Sequence, residues 1–368
     1  MKIVHVIGSL ALGGAETQLA KLSTEQARRG HDVTIILFDK FNTSLEHYCA
    51  ANGVELINSD LRKGKLVSGI HRLYCILRKN CDSNTVIQSW MYGADLFVSL
   101  CSIVMFLRSG RYFRIFWNVR CTKFTGFVDF SLKRYLIALP CIPLSYLIPE
   151  KIICCAHVAQ VEHGSWGYDK SKMTVIHNGF DESQYSLKKC SYVDEFFVLG
   201  FVGRYDPVKN FPIFVALVDQ LLCAGYKIKA YVAGRGYSNE LLEKLVSRPS
   251  VIDAIELKGQ VDSMTDFYHE VDLLIVTSFS EGFPNVICEA ALSGVDCLSF
   301  DVGDVSAILP NDNIIKGRST QVMLEKIESR LVNTGMNLGA AQVRASMLGR
   351  FSIQSTVEKY EMVYQRSV

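Results

Sequence analysis

The sequence predicts an α/β protein made of two doubly wound parallel-sheet domains, and three observations carry that reading. Short apolar, β-rich runs alternate with helical patterns through the first half of the chain. The same alternation restarts after Asn178-Gly179-Phe180-Asp181. Several of the strand runs pass straight into glycine-containing loops that open helices. Alternation at this pitch forms a parallel sheet covered by helices on both faces. The 368 residues suffice for two ordinary domains, and 49% apolar against 21% charged residues leaves enough to bury sizeable cores.

In the first half, runs 3–7, 33–38, 54–57, 86–88, 113–117, 152–155 and 174–176 read as buried strands. Helical patterns fill most of the gaps; in 15–29, Leu19, Leu22 and Gln26 share one face. In the second half the strand runs are 198–202, 229–232, 255–257, 273–276 and 297–300. The polar segment 181–195 reads as a linker, and everything after about 320 reads as helix. The expected division is 1–178, 179–345, and a C-terminal helix at 346–368 returning to the first domain. Two such sheets place a ligand crevice at the carboxyl ends of their strands, between the domains.

Composition excludes some functions. A net charge of +2 argues against a general nucleic-acid binder. The charge is uneven, though. Residues 61–134 hold thirteen Lys or Arg against three Asp, a local balance of +10, interleaved with Tyr112, Phe113, Phe116, Trp117, Phe124, Phe127 and Phe130. This stretch is either a solvated basic face or a surface that meets anionic lipid or a lipid-linked phosphate. No nucleic-acid recognition motif accompanies it.

The twelve cysteines form no CxxC pair, which suits buried thiols in a reducing compartment. No metal-ligand spacing is present, so no metal and no cofactor is expected. The opening MKIVHVIGSLALGGAE resembles a secretory leader, but His5 and Gly8 interrupt its apolar run and it flows into a helix, so it reads as the first strand. The run 96–107 is too short to span a bilayer, and 135–148 carries Pro140 and Pro143. No transmembrane helix is expected, and the chain reads as cytoplasmic, peripheral to a membrane at most.

The candidate site residues lie in the loops after strands. Gly13 and Gly14 follow the first strand and open a helix, whose backbone N–H groups and positive end suit an anion or sugar. The spacing from Gly8 to Gly13 imitates a phosphate-binding P-loop. Gly14 and Ala15 stand where Lys and Ser/Thr belong, so an ATPase reading fails. Gly234 begins a second glycine loop, GRGYSN, which lacks the third glycine of a dinucleotide fingerprint and supports only a close backbone approach to something flat or charged. In FVGRYDPVKN at 201–210, Arg204 and Lys209 are two cations in one strand–helix loop. They suit a diphosphate: Arg204 offers a planar fork and Lys209 a point charge.

The stretch EGFPNVICEA at 281–290 is the most informative. Gly282 and Phe283 offer N–H groups at a helix start, and Pro284 is tolerated in a first turn. Asn285 and Glu289 share the face opposite the packed one. Glu281 reaches sugar hydroxyls, and Glu289 accepts from both hydroxyls of a ribose. One carboxylate for each end and cations for the middle fit a nucleotide-sugar, although two surface glutamates on a helix remain the plain alternative.

With these motifs in hand, the chain resembles glycosyltransferase family 4, a retaining group of GT-B fold with two facing Rossmann-like domains and an interdomain cleft. The resemblance rests on GGAE at 13–16, HNGFD at 177–181, GRYDPVKN at 203–210 and EGFPNVICEA at 281–290 with its E-x7-E spacing. It implies an N-terminal acceptor-binding domain and a C-terminal nucleotide-sugar-binding domain. It also implies that Glu281 meets the donor hexose near its 3-hydroxyl, Glu289 holds the ribose, and Arg204 and Lys209 take the diphosphate. Lys258 to Val261 would carry the base, largely through backbone. Gly13 and Gly14 would lie by the phosphates and acceptor. The implied chemistry is metal-independent front-face transfer from a UDP- or GDP-sugar to a lipid-linked saccharide, as in bacterial O-antigen or capsule assembly. A nucleotide-sugar 2-epimerase and a non-catalytic sugar-nucleotide-binding module are the rival readings.

Two departures from the family pattern stand out. Gly294-Val295-Asp296 replaces the usual G-x-P after the E-x7-E helix. Asn118 and Arg120 occupy the strand end where many members carry a cleft histidine. Arg120 is therefore a candidate for charge stabilisation or acceptor binding, with His157 as another.

Overall fold

The computed structural model describes residues 1–11, 13–39, 41, 43–61, 66–120, 132–188, 196–246, 248–332 and 338–366. It separates into two compact units: 1–179 together with 353–368, and 180–352.

The first unit holds strands β1 (Lys2–Ile7), β2 (Asp32–Leu37), β3 (Glu55–Asn58), β4 (Val86–Trp90), β5 (Arg114–Val119), β6 (Lys151–Cys154) and β7 (Met173–Val175). They form one parallel sheet in the order β3-β2-β1-β4-β5-β6-β7. Its helices are α1 (Gly14–Arg28), α2 (Ser44–Ala51), α3 (Leu66–Asn80), α4 (Met91–Ser109), α5 (Leu132–Ala138), α6 (Cys141–Leu147) and α7 (His157–Ser165). Because the sheet is covered on both faces, β1 is buried from Ile3 through Ile7, His5 included. Buried polar groups need partners. His5 Nε2 lies 2.8 Å from Gln26 Oε1, and its Nδ1 accepts from Trp90 Nε1 at 3.2 Å. Burial pushes the His5 pKa down to about 4. The face expected of α1 is the one observed, with Leu19, Leu22 and Gln26 all buried.

The second unit repeats the plan. Strands β8 (Phe197–Val202), β9 (Ile228–Ala233), β10 (Ile255–Gly259), β11 (Leu273–Val276), β12 (Asp296–Phe300) and β13 (Ile314–Ile315) pair in parallel in the order β10-β9-β8-β11-β12-β13. Its helices are α8 (Phe211–Cys223), α9 (Asn239–Leu245), α10 (Pro249–Ala254), α11 (Met264–Glu270), α12 (Asn285–Leu292), α13 (Thr320–Val332) and α14 (Leu338–Phe351). The two-residue β13 is too short to leave a periodicity and has no counterpart in the sequence reading. In each sheet the strand order reverses once, between β1 and β4 and between β8 and β11. At such a switch point the loops leaving the two strands diverge and leave room for a ligand.

Helix α15 (Ile353–Arg366) returns to the first unit. Its Val357, Tyr360 and Tyr364 are fully buried in the same apolar cluster as Ile3, Ile35 and Phe116. Burying side chains of this size is worth roughly 1.5–3 kcal/mol each. The boundary expected at 346 falls inside α14, and the chain changes unit between Ser352 and Ile353. The cause is local: Phe351 packs on Phe283 with ring centroids 5.2 Å apart and accepts from Phe180 N–H at 2.9 Å, which holds α14 in the second unit.

The 96–107 run is the middle of a longer helix. Helix α4 has 19 residues and, by length and composition alone, is long and apolar enough to cross a membrane. It lies against β1, β4 and β5, with Asp95, Val98, Ser99 and Met105 buried. Of the basic stretch 61–134, Arg62, Lys63, Lys65, Lys123, Phe124, Phe127, Asp129 and Phe130 lie outside the described residues, as do the side chains of Lys133 and Arg134. The second half of the expected linker, 189–195, lies outside them too.

Candidate active site

The second unit brings Arg204, Lys209 and the 281–284 segment into the two loops at its switch point. After β8 the chain turns through Gly203 into a short 3-10 turn, Pro207–Lys209. Asp206 caps that turn: its Oδ1 accepts from Val208 N–H at 3.0 Å. Asn210 then takes a left-handed conformation (φ 55°) ahead of α8, and this leaves Lys209 at the end of the turn. The loop after β11 is tied to this one. Thr277 Oγ1 donates to the carbonyls of Lys209 and Asn210, both at 3.1 Å, and Phe279 N–H donates to Val208 O at 2.7 Å. The two strand-end loops therefore form one hydrogen-bonded platform.

On that platform Lys209 Nζ lies 2.6 Å from Glu281 Oε1. Ser278 Oγ donates to the same oxygen at 2.6 Å. The side chains of Lys209 and Glu281 are 21% and 13% exposed, so both remain partly open to solvent. Ser278 is buried, and nothing in its sequence context marks it beyond lying three residues before Glu281. Arg204 lies in the same loop, but its guanidinium points elsewhere: it is 74% exposed and pairs with Asp206 at 2.9 Å. Among the expected four, Lys209 and Glu281 are brought together, and Arg204 lies in the Lys209 loop as an exposed cation paired with Asp206 of that loop.

The helix start differs from expectation in one respect. Pro284 is the N-cap of α12, with extended backbone (ψ 91°), and the helix begins at Asn285. A proline ring is accommodated equally well there, because no intrahelical N–H is lost. Phe283 is buried between Phe180 and Phe351. Behind the turn, Asp304 N–H donates to Gly282 O at 3.0 Å. Gly303 (φ 59°) packs so tightly that an added Cβ would fall 2.4 Å from Gly282 O and 2.6 Å from Glu281 O. The 301–304 loop thus buttresses the Glu281–Gly282 backbone.

Glu289 sits one turn after Asn285, and its Oε2 accepts from Tyr268 OH at 3.3 Å. Tyr268 is fully buried; burial first, and the Glu289 charge second, hold its hydroxyl well above the usual range. Tyr185 is raised in the same way, by burial and then by Glu289. These two tyrosines were not legible as partners, since they lie 21 and 104 residues from Glu289 in sequence.

Gly234 has a reason internal to the chain. It adopts φ 144°, and an added Cβ would lie 1.8 Å from Gly203 O. The close backbone approach expected there is made to the β8 loop itself: Gly203 N–H donates to Ala233 O at 2.9 Å and Tyr205 N–H to Arg235 O at 2.7 Å. Lys258 is committed to its own unit, 2.8 Å from Glu270 and 3.0 Å from Glu256, with its ammonium over the Tyr231 ring. Its side chain is thereby directed to protein partners. Val261 follows in irregular structure, half-buried.

The unusual Gly294-Val295-Asp296 turn is also explained. Gly294 supplies the positive φ (79°) after α12. In place of a proline, Asp296 accepts from Cys297 N–H, from Asn313 Nδ2 at 2.6 Å and from Arg330 Nε at 2.9 Å, fastening β12 to α13.

In the first unit, Gly13 is the N-cap of α1, with Gly14 as the first helical residue. A Cβ on Gly13 would sit 2.4 Å from Glu16 Oε2, so its lack of a side chain makes room for the chain's own carboxylate at the helix start. Arg120 leaves β5 and stacks on Trp90, 4.4 Å from the ring centroid. Its guanidinium donates to Asn178 Oδ1 and, at 2.8 Å, to Tyr360 OH, which also accepts from Asn118 Nδ2 at 2.8 Å. Arg120 and Asn118 together fasten α15. His157 lies edge-on to His177, centroids 5.4 Å apart.

Residues 12–184 match the Glycosyltransferase Family 4 model, and residues 197–333 match the model for Glycosyl transferases group 1. The chain is similar, at 21% identity over 99% of its length and 98% of the relative, to the O-antigen biosynthesis glycosyltransferase WclY of Escherichia coli. It is 23% identical, over 89% of its length and 87% of the relative, to a Campylobacter jejuni enzyme named GalNAc-alpha-(1->4)-GalNAc-alpha-(1->3)-diNAcBac-PP-undecaprenol alpha-1,4-N-acetyl-D-galactosaminyltransferase. Among solved structures, Anabaena Alr3699/HepE in complex with UDP-glucose superposes with a TM-score of 0.82 at 18% identity, covering all of both chains.

Proposed function

Because the chain belongs to glycosyltransferase family 4, with two parallel-sheet Rossmann-like domains of the GT-B type, we propose that it moves a sugar, with retention, from a nucleoside diphosphate to a hydroxyl of a lipid-linked saccharide. A UDP-hexose or UDP-N-acetylhexosamine is the favoured donor, with a GDP-sugar second. The pathway proposed is bacterial surface polysaccharide assembly at the inner face of the cytoplasmic membrane. In support, the HepE structure holds UDP-glucose, WclY is named for O-antigen biosynthesis, and the Campylobacter relative is named for a polyprenyl-diphosphate-linked acceptor.

The observation that carries the reading is the shared contact of Lys209 and Ser278 with one oxygen of Glu281 at the switch point of the second sheet. It fixes one carboxylate oxygen and leaves Oε2 to accept from a sugar hydroxyl. Lys209 and Arg204 bring positive charge to the diphosphate, so that charge on the departing nucleotide is stabilised by preorganised groups and no metal is required. Glu289, steadied by Tyr268, accepts from the ribose, and Gly282 to Asn285 present helix-start backbone to the donor. The protein's work is positioning and charge stabilisation, with the leaving phosphate taking the acceptor proton. Arg120 holds the acceptor side of the first unit in shape.

Thermal unfolding with a panel of nucleotides and nucleotide-sugars tests this. A donor at a hundred times its Kd stabilises by about 2.7 kcal/mol. No shift with any UDP- or GDP-compound would remove the proposal. Donor conversion without an acceptor to an epimeric nucleotide-sugar would replace it with an epimerase.

A further inference from the structure

We infer that the outer face of α4, with the Phe106–Tyr112 corner at its end, docks the first unit on an anionic membrane surface. The inference rests on the transferase reading only for its link to a lipid-borne acceptor; the surface itself is argued from its residues. A helix that covers a sheet normally turns polar residues outward. Helix α4 does not. From Leu96 to Leu107 it has no charged residue, and Leu100, Val104 and Leu107, spaced i, i+4, i+7 on one face, are all exposed, Leu107 by 76%. Beside Leu107, exposed Phe106 packs on Tyr112, beyond the helix end and itself 70% exposed, with ring centroids 4.5 Å apart.

Cations rim this apolar strip. Arg108 and Arg111 flank the aromatic pair, and Arg78 and Lys79 are exposed on the neighbouring α3. None of the four makes an ion pair among the described residues. Arg108 lies over Tyr74, 5.8 Å from the ring centroid, its charge on an aromatic of α3. An exposed apolar ridge, aromatic rings and unpaired bases at one edge are the features of a surface that sits among acyl chains and headgroups. The charge complement is an anionic leaflet, worth about 1 kcal/mol per base near the surface.

The helix lies on the membrane and does not cross it. Its inner face is fixed to the unit: Asp95 is buried and accepts from Ser89 Oγ at 2.5 Å, and Cys141 Sγ bonds Tyr92 O at 3.7 Å. Crossing would carry that carboxyl into lipid and strip the sheet. The uncharged run of twelve residues is about 18 Å long, short of a bilayer core of about 30 Å.

Co-sedimentation of the full chain with vesicles of phosphatidylglycerol and phosphatidylcholine, against phosphatidylcholine alone, tests the inference. Preferential binding to the anionic vesicles is expected. Arg111→Ala should weaken it by about fivefold, and Leu107→Glu should abolish it. UDP-induced thermal stabilisation should persist in both variants, which keeps fold and donor site out of the comparison. Wild-type protein left in the supernatant, or variants binding like wild type, overturns the inference. So does light scattering that shows a dimer dissociated by Leu107→Glu, which would make this face a contact between copies. Vesicle binding without any UDP stabilisation would sink the donor reading and leave the docking surface standing.

Discussion

Lys209 and Glu281, 72 residues apart in sequence, form a 2.6 Å ion pair between the two loops that leave β8 and β11. The pair joins the cation proposed for the diphosphate and the carboxylate proposed for the sugar. Neither group is simply a solvated surface charge. Each holds the other's position before a donor arrives, the preorganisation that a loose pair of side chains in water lacks.

Removal of the Lys209 ammonium is therefore expected to cost about 10²–10³ in turnover. Lys209→Ala and Glu281→Gln combined should lose far less than the product of the single losses, since the residues act as a unit. Steady-state kinetics on the four proteins of the cycle checks this. Additive losses would mean that the two residues act independently and that the ion pair contributes nothing to turnover.

Gly234→Ala should fail by sterics alone. Its Cβ would overlap Gly203 O, and φ 144° disfavours any side chain. A loss of roughly 1–3 kcal/mol is expected in denaturant unfolding, and donor affinity should fall because the Arg204 loop is displaced. Gly225→Ala is the control. It also has positive φ but nothing within 4 Å, so it should cost no more than about 1 kcal/mol and leave donor affinity unchanged.

Tyr360→Phe should loosen α15. Its hydroxyl is the common acceptor for Arg120 and Asn118, and its loss strands two donors in a buried setting. About 1–3 kcal/mol of stability is at stake. Hydrogen exchange of 353–366 should rise in the variant, with the second unit unaffected.

Acid should unfold the first unit early. His5 and His163 are buried, and burial holds each pKa near 4, below the ordinary 6.5. The unfolded chain therefore binds more protons between those values. The stability from keeping both rings neutral is complete above about pH 6.5 and is lost as pH falls toward 4. Buried Asp95, whose carboxyl burial holds well above the usual range, opposes this over the same interval, so the two rings together must outweigh one carboxyl for the midpoint to fall. Trp90, Trp117 and Trp166 are the only tryptophans and all belong to the first unit, so their fluorescence reports it selectively. A thermal midpoint by fluorescence that does not fall between pH 6.5 and 4.5 would contradict this.

Much of the architecture was legible in the sequence. The strand runs leave a strong signal because a parallel sheet covered on both faces demands unbroken apolar stretches, and every run read as a strand overlaps an observed strand and begins within one residue of its start. The loop cations and Glu281 were legible because each sits within seven residues of a strand end, and Glu289 because it recurs at a fixed spacing on the helix that follows. The position of Pro284 and the crossing at Ser352 were off by a turn or less than two, since the packing of Phe351 on Phe283, and not any local preference, decides where α14 ends its allegiance.

By itself, then, the sequence determined two doubly wound sheets and the chemical types available at their strand ends, because local periodicity and side-chain chemistry are properties of neighbours in the chain. Only the tertiary structure decided that Ser278 and Lys209 share an oxygen of Glu281, that Tyr268 attends Glu289, that Gly234 is glycine for the sake of Gly203, and that Arg120 is bound to Tyr360. Ser278 apart, which is three residues before Glu281, those are contacts between residues tens to hundreds of positions apart, and their geometry is set by how the strands order in the sheet, which no single segment encodes.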